Sequence, residues 1–146
     1  MTPVTPTPEA PLTLAAAEKI LADNFAPWVL DLGLSVASVE GQRAVLRLPW
    51  SDRLAREGGG LCGQALMAAA DTATVLAVAA ARGGFVPMTT VQQSISFQRP
   101  VTGSDVLVLA RLTKAGKRMA FADITMTAEG SDEPAAHATA VYALLG

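Results

Sequence analysis

One cysteine and one histidine occur in 146 residues, and each scarcity closes a class of chemistry. A single thiol cannot build a disulfide framework or a four-thiolate zinc site within one chain. His137, alone, excludes multi-histidine metal centres in one chain and leaves any nucleophile-histidine pair dependent on that imidazole. Charge is sparse and nearly balanced: 11 basic against 13 acidic residues give a net −2, and charged residues make up 16%. A duplex nucleic-acid binder shows a basic excess, and none is present. The most apolar stretch, residues 65–81, carries Asp71 well inside. A central aspartate costs a membrane helix about 2.5–3.5 kcal/mol. The stretch is therefore read as a buried helix, with no membrane partner. The start has neither a basic n-region nor a long apolar run, so the expected compartment is cytoplasmic.

What is abundant is apolar mass, 51% of residues, enough for a real core in a chain of this length. Four of the nine prolines fall in the first eleven residues. Residues 1–12 are expected to form a flexible Pro/Thr-rich tail, and residues 13–146 a single domain.

Residues 14–25 read as a helix with Thr13 as its cap and Pro27 as its stop. Residues 34–39 and 44–48 read as strands joined by a hairpin at Glu40-Gly41-Gln42. Residues 49–60 form a polar loop ending in three glycines. Residues 63–81 read as one long helix closed by Arg82-Gly83-Gly84. Strands are expected at 89–97, 105–112, 119–127 and 136–145, with Val91, Ile95 and Phe97 sharing a face. Short links predict antiparallel pairing of consecutive strands. The long helix is nearly free of charge, so it must be covered on almost every side. The expected class is α+β: a curved antiparallel sheet of five to six strands wrapped around the helix.

Asp71 is the informative residue, because an unpaired charge is costly to bury. It stands eight residues after Gly63, in the glycine-rich segment that opens the helix. Backbone N–H groups at such a start favour negative charge. An oxyanion donor at Gly63 and a carboxylate at Asp71 would together serve acyl transfer. Eight residues span about 12 Å of helix, so one chain does not easily focus both on one carbonyl. Two chains with antiparallel helices would supply one group each.

Gly59-Gly60-Leu61-Cys62-Gly63-Gln64, followed after seven residues by Asp71 within Ala70-Asp71-Thr72-Ala73, resembles the hotdog-fold acyl-CoA thioesterases of the phenylacetate-pathway (PaaI-like) type. The resemblance extends over residues 25–145. It takes in the Thr89–Val101 block, the Ala115-Gly116-Lys117-Arg118 turn and the segment from Ala135 to Tyr142. It implies a hotdog fold and hydrolysis of acyl-CoA to free acid and coenzyme A. It also implies a homodimer or dimer of dimers with a shared site, and neither metal nor separate cofactor. Asp71 would be the general base or nucleophile, the Gly63 N–H the oxyanion donor, and Thr90 the hydroxyl that helps place water. The sequence departs from the family pattern at Cys62, usually histidine, at Gln64, usually glycine, and at Arg56, usually asparagine. Cys62 and Gln64 then stand at substrate-contacting positions.

Cys62 is read as a small buried residue rather than a nucleophile, and His137 as a sheet residue rather than a base. Arg111, Lys114, Lys117 and Arg118 fall close together. Lys114, Lys117 and Arg118, with Arg99, are the candidates for holding coenzyme A phosphates. Trp28 and Trp50 are expected to pack. Two rival functions use the same fold. One is an acyl-CoA-binding protein without turnover; the other is a hydratase or dehydratase, whose catalytic histidine near the helix start is missing.

Overall fold

The computed structural model of the chain describes residues 11–145; most of the expected tail, residues 1–10, lies outside them. Helix α1 (Leu14–Asn24) begins where the Thr13 side chain accepts from Ala16 N–H at 3.1 Å, satisfying one of the helix's unpaired donors. Pro27 ends that helix and also opens a second, short one. This α2 (Pro27–Leu30) carries the proline at its first position, where the missing N–H costs nothing. Strands β1 (Ser35–Glu40) and β2 (Arg43–Leu48) follow, then a 3₁₀ turn over Asp52–Leu54. The long helix α3 (Gly63–Arg82) comes next. It stops at Gly83, whose φ of 77° is the left-handed conformation that glycine adopts without strain. Strands β3 (Met88–Phe97), β4 (Val106–Ala115), β5 (Met119–Ala128) and β6 (Pro134–Leu144) complete the fold.

The six strands form one antiparallel sheet in the order β1-β2-β4-β5-β6-β3, curved around α3. Consecutive strands pair as expected at β1–β2, β4–β5 and β5–β6, and the expectation is corrected at β3, which pairs with neither β2 nor β4. β3 pairs with β6 at the far edge, and β2 pairs with β4. The crossing through α3 carries the chain from β2 to the other edge. The 98–105 link is too long for a tight hairpin and carries it back to β4.

Small side chains let helix and sheet approach closely. Ala69, Ala70, Ala73 and Ala77 of α3 are buried, as are Ala44, Ala110 and Ala122 of the sheet. Leu46, Leu48, Leu76, Ile124 and Met126 fill the space between them. Each such large side chain contributes about 1.5–3 kcal/mol when fully buried. Two buried threonines within α3 are satisfied locally: Thr72 and Thr74 donate to the carbonyls of Ala68 and Ala70 at 2.8 and 2.9 Å. α3 is long and apolar enough to cross a membrane by length and composition, and 72% of its most apolar window is buried inside the fold. The stripe left open runs Gln64, Met67, Ala68, Asp71, one side of the helix at its own period.

The alternation expected in β3 is broken by a bulge. Thr90 pairs with Tyr142 and Gln92 with Val141, which leaves Val91 as the extra residue. Ile95 and Phe97 stand opposite the inward-facing Ala138 and Ala136, while Val91 falls out of that register and is 56% exposed. The extra residue turns Thr90 inward, toward α3.

Candidate active site

Three elements converge on Asp71. From β3, the Thr90 hydroxyl donates to Asp71 Oδ1 at 2.8 Å. From β6, the Tyr142 hydroxyl is hydrogen-bonded to the same Oδ1 and lies 2.9 Å from the Asp71 carbonyl oxygen. Asp71 Oδ2 takes no hydrogen bond among the described residues and is not sealed from solvent. Tyr142 itself is buried. Burial first, then the adjacent Asp71 charge and the hydrogen bond to it, push its phenol well above the ordinary 10.0. It therefore remains a proton donor at neutral pH. Thr90 stands beside Asp71 as the resemblance implied, whereas Tyr142 is a site residue that the sequence did not single out. The available signal was the chain's only tyrosine in a strand of small inward-facing residues, since a buried phenol needs a partner.

The open stripe of α3 floors a cleft of about 430 Å³ lined by Phe25, Trp28, Val29, Met67, Asp71, Thr90 and Gln93. The α1–α2 segment supplies its apolar wall, a role the sequence reading did not give it. Trp28 was expected to pack, yet it lies 56% exposed on this wall. Trp50 does pack against the core, partly buried, and its N–H donates to Asp105 at 2.8 Å. Gln93 Nε2 donates to the Met67 carbonyl at 3.0 Å, fixing the glutamine at the cleft side. A smaller space of about 230 Å³ opens on the other side of Asp71, lined by Phe25, Phe85, Thr90 and Tyr142.

Gly63 lines a different cleft, of about 420 Å³, with Arg56, Phe97 and Arg99. Cys62 caps α3 without a side-chain hydrogen bond, so the first N–H groups of the helix keep no side-chain partner. Glycine at position 63 has a steric reason: a Cβ there would stand 3.0 Å from Phe97 Cζ. Within one chain, then, the structure does not bring Gly63 and Asp71 to one point.

The other expected residues divide between the two ends of α3. Cys62 is half-buried against the core, its N–H donating to Leu54 O at 2.8 Å. Gln64 is exposed on the Asp71 cleft. Arg99 sits at the Gly63 end and pairs with Glu133 at 2.6 Å. Lys114, Lys117 and Arg118 lie on or beside the β4–β5 turn. Arg82, at the far end of α3, holds that turn by donating to the Gly116 and Lys117 carbonyls, both at 3.1 Å. A helix of 20 residues spans roughly 30 Å, so in one chain this cluster stands about a helix length from Gly63. Arg111 pairs across the sheet with Asp123 at 3.5 Å. His137 sits between Ser96 and Thr125, on the sheet face turned away from α3, where it reaches neither Cys62 nor Asp71.

A six-stranded antiparallel sheet curved around one long helix is the hotdog fold. The thioesterase superfamily profile matches residues 58–135, more than half of the chain, and the chain belongs to that superfamily. Among solved structures, zebrafish thioesterase superfamily member 2 is 24% identical with a TM-score of 0.81, covering 92% of this chain and 99% of its own. A mutant of the phenylacetic acid degradation protein PaaI from Thermus thermophilus is 26% identical with a TM-score of 0.72, covering 82% and 100%. A Streptococcus mutans protein solved with acetyl CoA bound has 19% identity and a TM-score of 0.71, covering 77% and 89%. No curated protein matches the chain.

Proposed function

We propose that the protein hydrolyses acyl-CoA thioesters, with Asp71 as the carboxylate that activates water or attacks the carbonyl carbon. The observation that carries this reading is the Asp71–Thr90 pair: a held carboxylate with one free oxygen, set in an apolar cleft. The wall of Phe25, Trp28 and Met67 suits an acyl group. The acetyl CoA held by the Streptococcus mutans neighbour supports coenzyme A thioesters as the ligand class. Water adds to the thioester carbonyl as its proton passes to Asp71. The C–S bond then breaks, and coenzyme A leaves as the thiol after taking up a proton. In the nucleophilic variant Asp71 forms a mixed anhydride that water cleaves. Coenzyme A enters as part of the substrate, the reading uses no resident metal or cofactor, and a cytoplasmic setting fits it.

The second group, the Gly63 N–H, comes from a second copy of the chain in this reading. Two features support a homodimer. Among the described residues the outer edge of the ten-residue strand β3 is unpaired, and an edge of that length is a template for another strand. The open stripe of α3 lies beside that edge. Two α3 helices packed antiparallel along it bring Asp71 of one copy to Gly63 of the other. They also turn the Lys114–Lys117–Arg118 end of one copy toward Arg99 of the other, where a coenzyme A tail would leave the site.

Thiol release from short, medium, long and aryl acyl-CoA substrates tests the proposal, with Asp71→Asn alongside. Loss of a general base costs about 10²–10⁴-fold. Cys62 in place of the usual histidine favours the rival reading, binding without turnover. Tight acyl-CoA binding with no release across the panel would decide for that rival.

A further inference from the structure

We infer that Tyr142 is a positioning residue: with Thr90 it occupies Oδ1 of Asp71, so that Oδ2 alone faces the cleft as the reacting oxygen. This deepens the proposed thioesterase reading and rests on it. A free aspartate side chain presents two equivalent oxygens, and rotation about its last bond exchanges them. Here Oδ1 is engaged twice, by Thr90 at 2.8 Å and by the Tyr142 hydroxyl. Oδ2 is left without a protein partner among the described residues. The phenol also lies 2.9 Å from the Asp71 carbonyl oxygen, so one hydroxyl touches both the side chain and the backbone of one residue. The aromatic ring is fixed by burial in β6, opposite Thr90 of β3 and Ala120 of β5. The clamp therefore stands on three elements that the sheet and helix hold rigidly, which is what a catalytic carboxylate requires of its supporting groups.

Asp71 is the only charged residue among those lining the small space beside Tyr142; Asn24, Phe25, Val75, Phe85, Met88, Thr89 and Thr90 complete it. Whatever charge the phenol senses at close range is thus that of Asp71. Burial and that charge both resist ionisation of Tyr142, burial the more strongly.

Two measurements decide the matter. In the first, Tyr142→Phe keeps the ring and removes only the hydroxyl. The expected result is a fall in kcat of about tenfold or more with KM little changed, since a hydrogen bond to a charged group is lost from the reacting side chain and not from substrate. Unchanged kcat in folded protein overturns the positioning role. In the second, because the chain holds one tyrosine, its ultraviolet resonance Raman doublet reports the hydrogen bonding of Tyr142 alone, in the folded protein at neutral pH. The doublet should move toward that of a weaker donor in Asp71→Asn. An identical doublet means that the hydroxyl serves only the backbone carbonyl, and the inference fails whatever the kinetics show. This measurement needs neither turnover nor a Tyr142 variant. A protein that hydrolyses no acyl-CoA sinks the functional proposal, while the clamp on Oδ1 stands or falls by the doublet.

Discussion

Thr90 meets Asp71 at 2.8 Å only because Val91 is looped out of the ladder between β3 and β6. In an unbroken strand the period of two would put Val91 opposite Tyr142 and turn Thr90 to the outer face. The bulge is thus the local irregularity that builds the site, at an edge strand where such irregularities gather. Thr90→Val removes the hydroxyl at nearly constant volume, and Thr90→Ser restores it. The expected pattern is a drop in kcat of about tenfold for valine, from a lost hydrogen bond to a carboxylate, with recovery for serine. Equal rates for valine and the parent would remove Thr90 from the mechanism.

Most of the fold was legible because it rests on local signals. Thr13, Pro27 and Gly83 punctuate the helices where capping chemistry puts them. The strand runs stand close to their expected bounds. Non-local outcomes were not legible. The placement of β3 beside β6 depends on where α3 delivers the chain, and no alternation in residues 89–97 encodes that. A bulge adds one residue without changing composition, so nothing in the alternation marked Val91 as the extra residue. At the site, Asp71 stood out because a charge in an apolar helix is costly. Tyr142 did not, since its meaning lies in a contact 71 residues away in sequence. Trp28 was misread for a related reason: an aromatic residue in a short helix looks like core until the cleft beside it is known.

Asp105 ties β4 to the loop after β2, and its stability contribution should follow pH. Its Oδ1 accepts from Trp50 N–H at 2.8 Å and its Oδ2 meets Arg47 at 3.3 Å. The Trp50 hydrogen bond first, then the Arg47 guanidinium, hold its carboxyl below the ordinary 3.8. A carboxyl whose folded value is depressed stabilises the fold above its unfolded value and loses that contribution as pH falls through the folded one. The stabilisation should therefore be full at neutral pH and fade only below 3.8. Urea unfolding of Asp105→Asn should show lower stability than the parent at pH 7 and a smaller gap in strong acid. A gap that is constant across the range would mean that the ionised form is not what the fold uses.

Gly63 and Phe97 form a second testable pair, in which shape rather than charge decides. A methyl group at position 63 would stand 3.0 and 3.3 Å from two ring atoms of Phe97, too close without movement of the ring. Gly63→Ala keeps the backbone N–H, so any loss of activity comes from displacement. Phe97 is half-exposed and can give way, so the fold should survive. The expected result is reduced kcat/KM for Gly63→Ala and partial recovery in Gly63→Ala/Phe97→Leu, which relieves the contact. Contacting residues couple by about 0.5–3 kcal/mol in such cycles. Strictly additive losses would show that the ring does not shape the helix start.

The turn between β4 and β5 carries the last expectation. Arg82 fixes its backbone by donating to the Gly116 and Lys117 carbonyls, while the Lys114 and Lys117 side chains are engaged by no ion pair among the described residues. Positive charge held on a fixed turn at the end of α3 suits the phosphates of coenzyme A in the shared site proposed above. An attraction between exposed charges is screened over about 8 Å at physiological salt, so its effect should weaken as salt rises. Lys117→Ala/Arg118→Ala should raise KM for acyl-CoA with little change in kcat, the pattern of binding lost equally from ground and transition states. The same variant should hydrolyse a truncated thioester that lacks the nucleotide as fast as the parent does. If both substrates suffer alike, or neither does, the turn does not hold the coenzyme and the cluster serves only to solvate the hairpin.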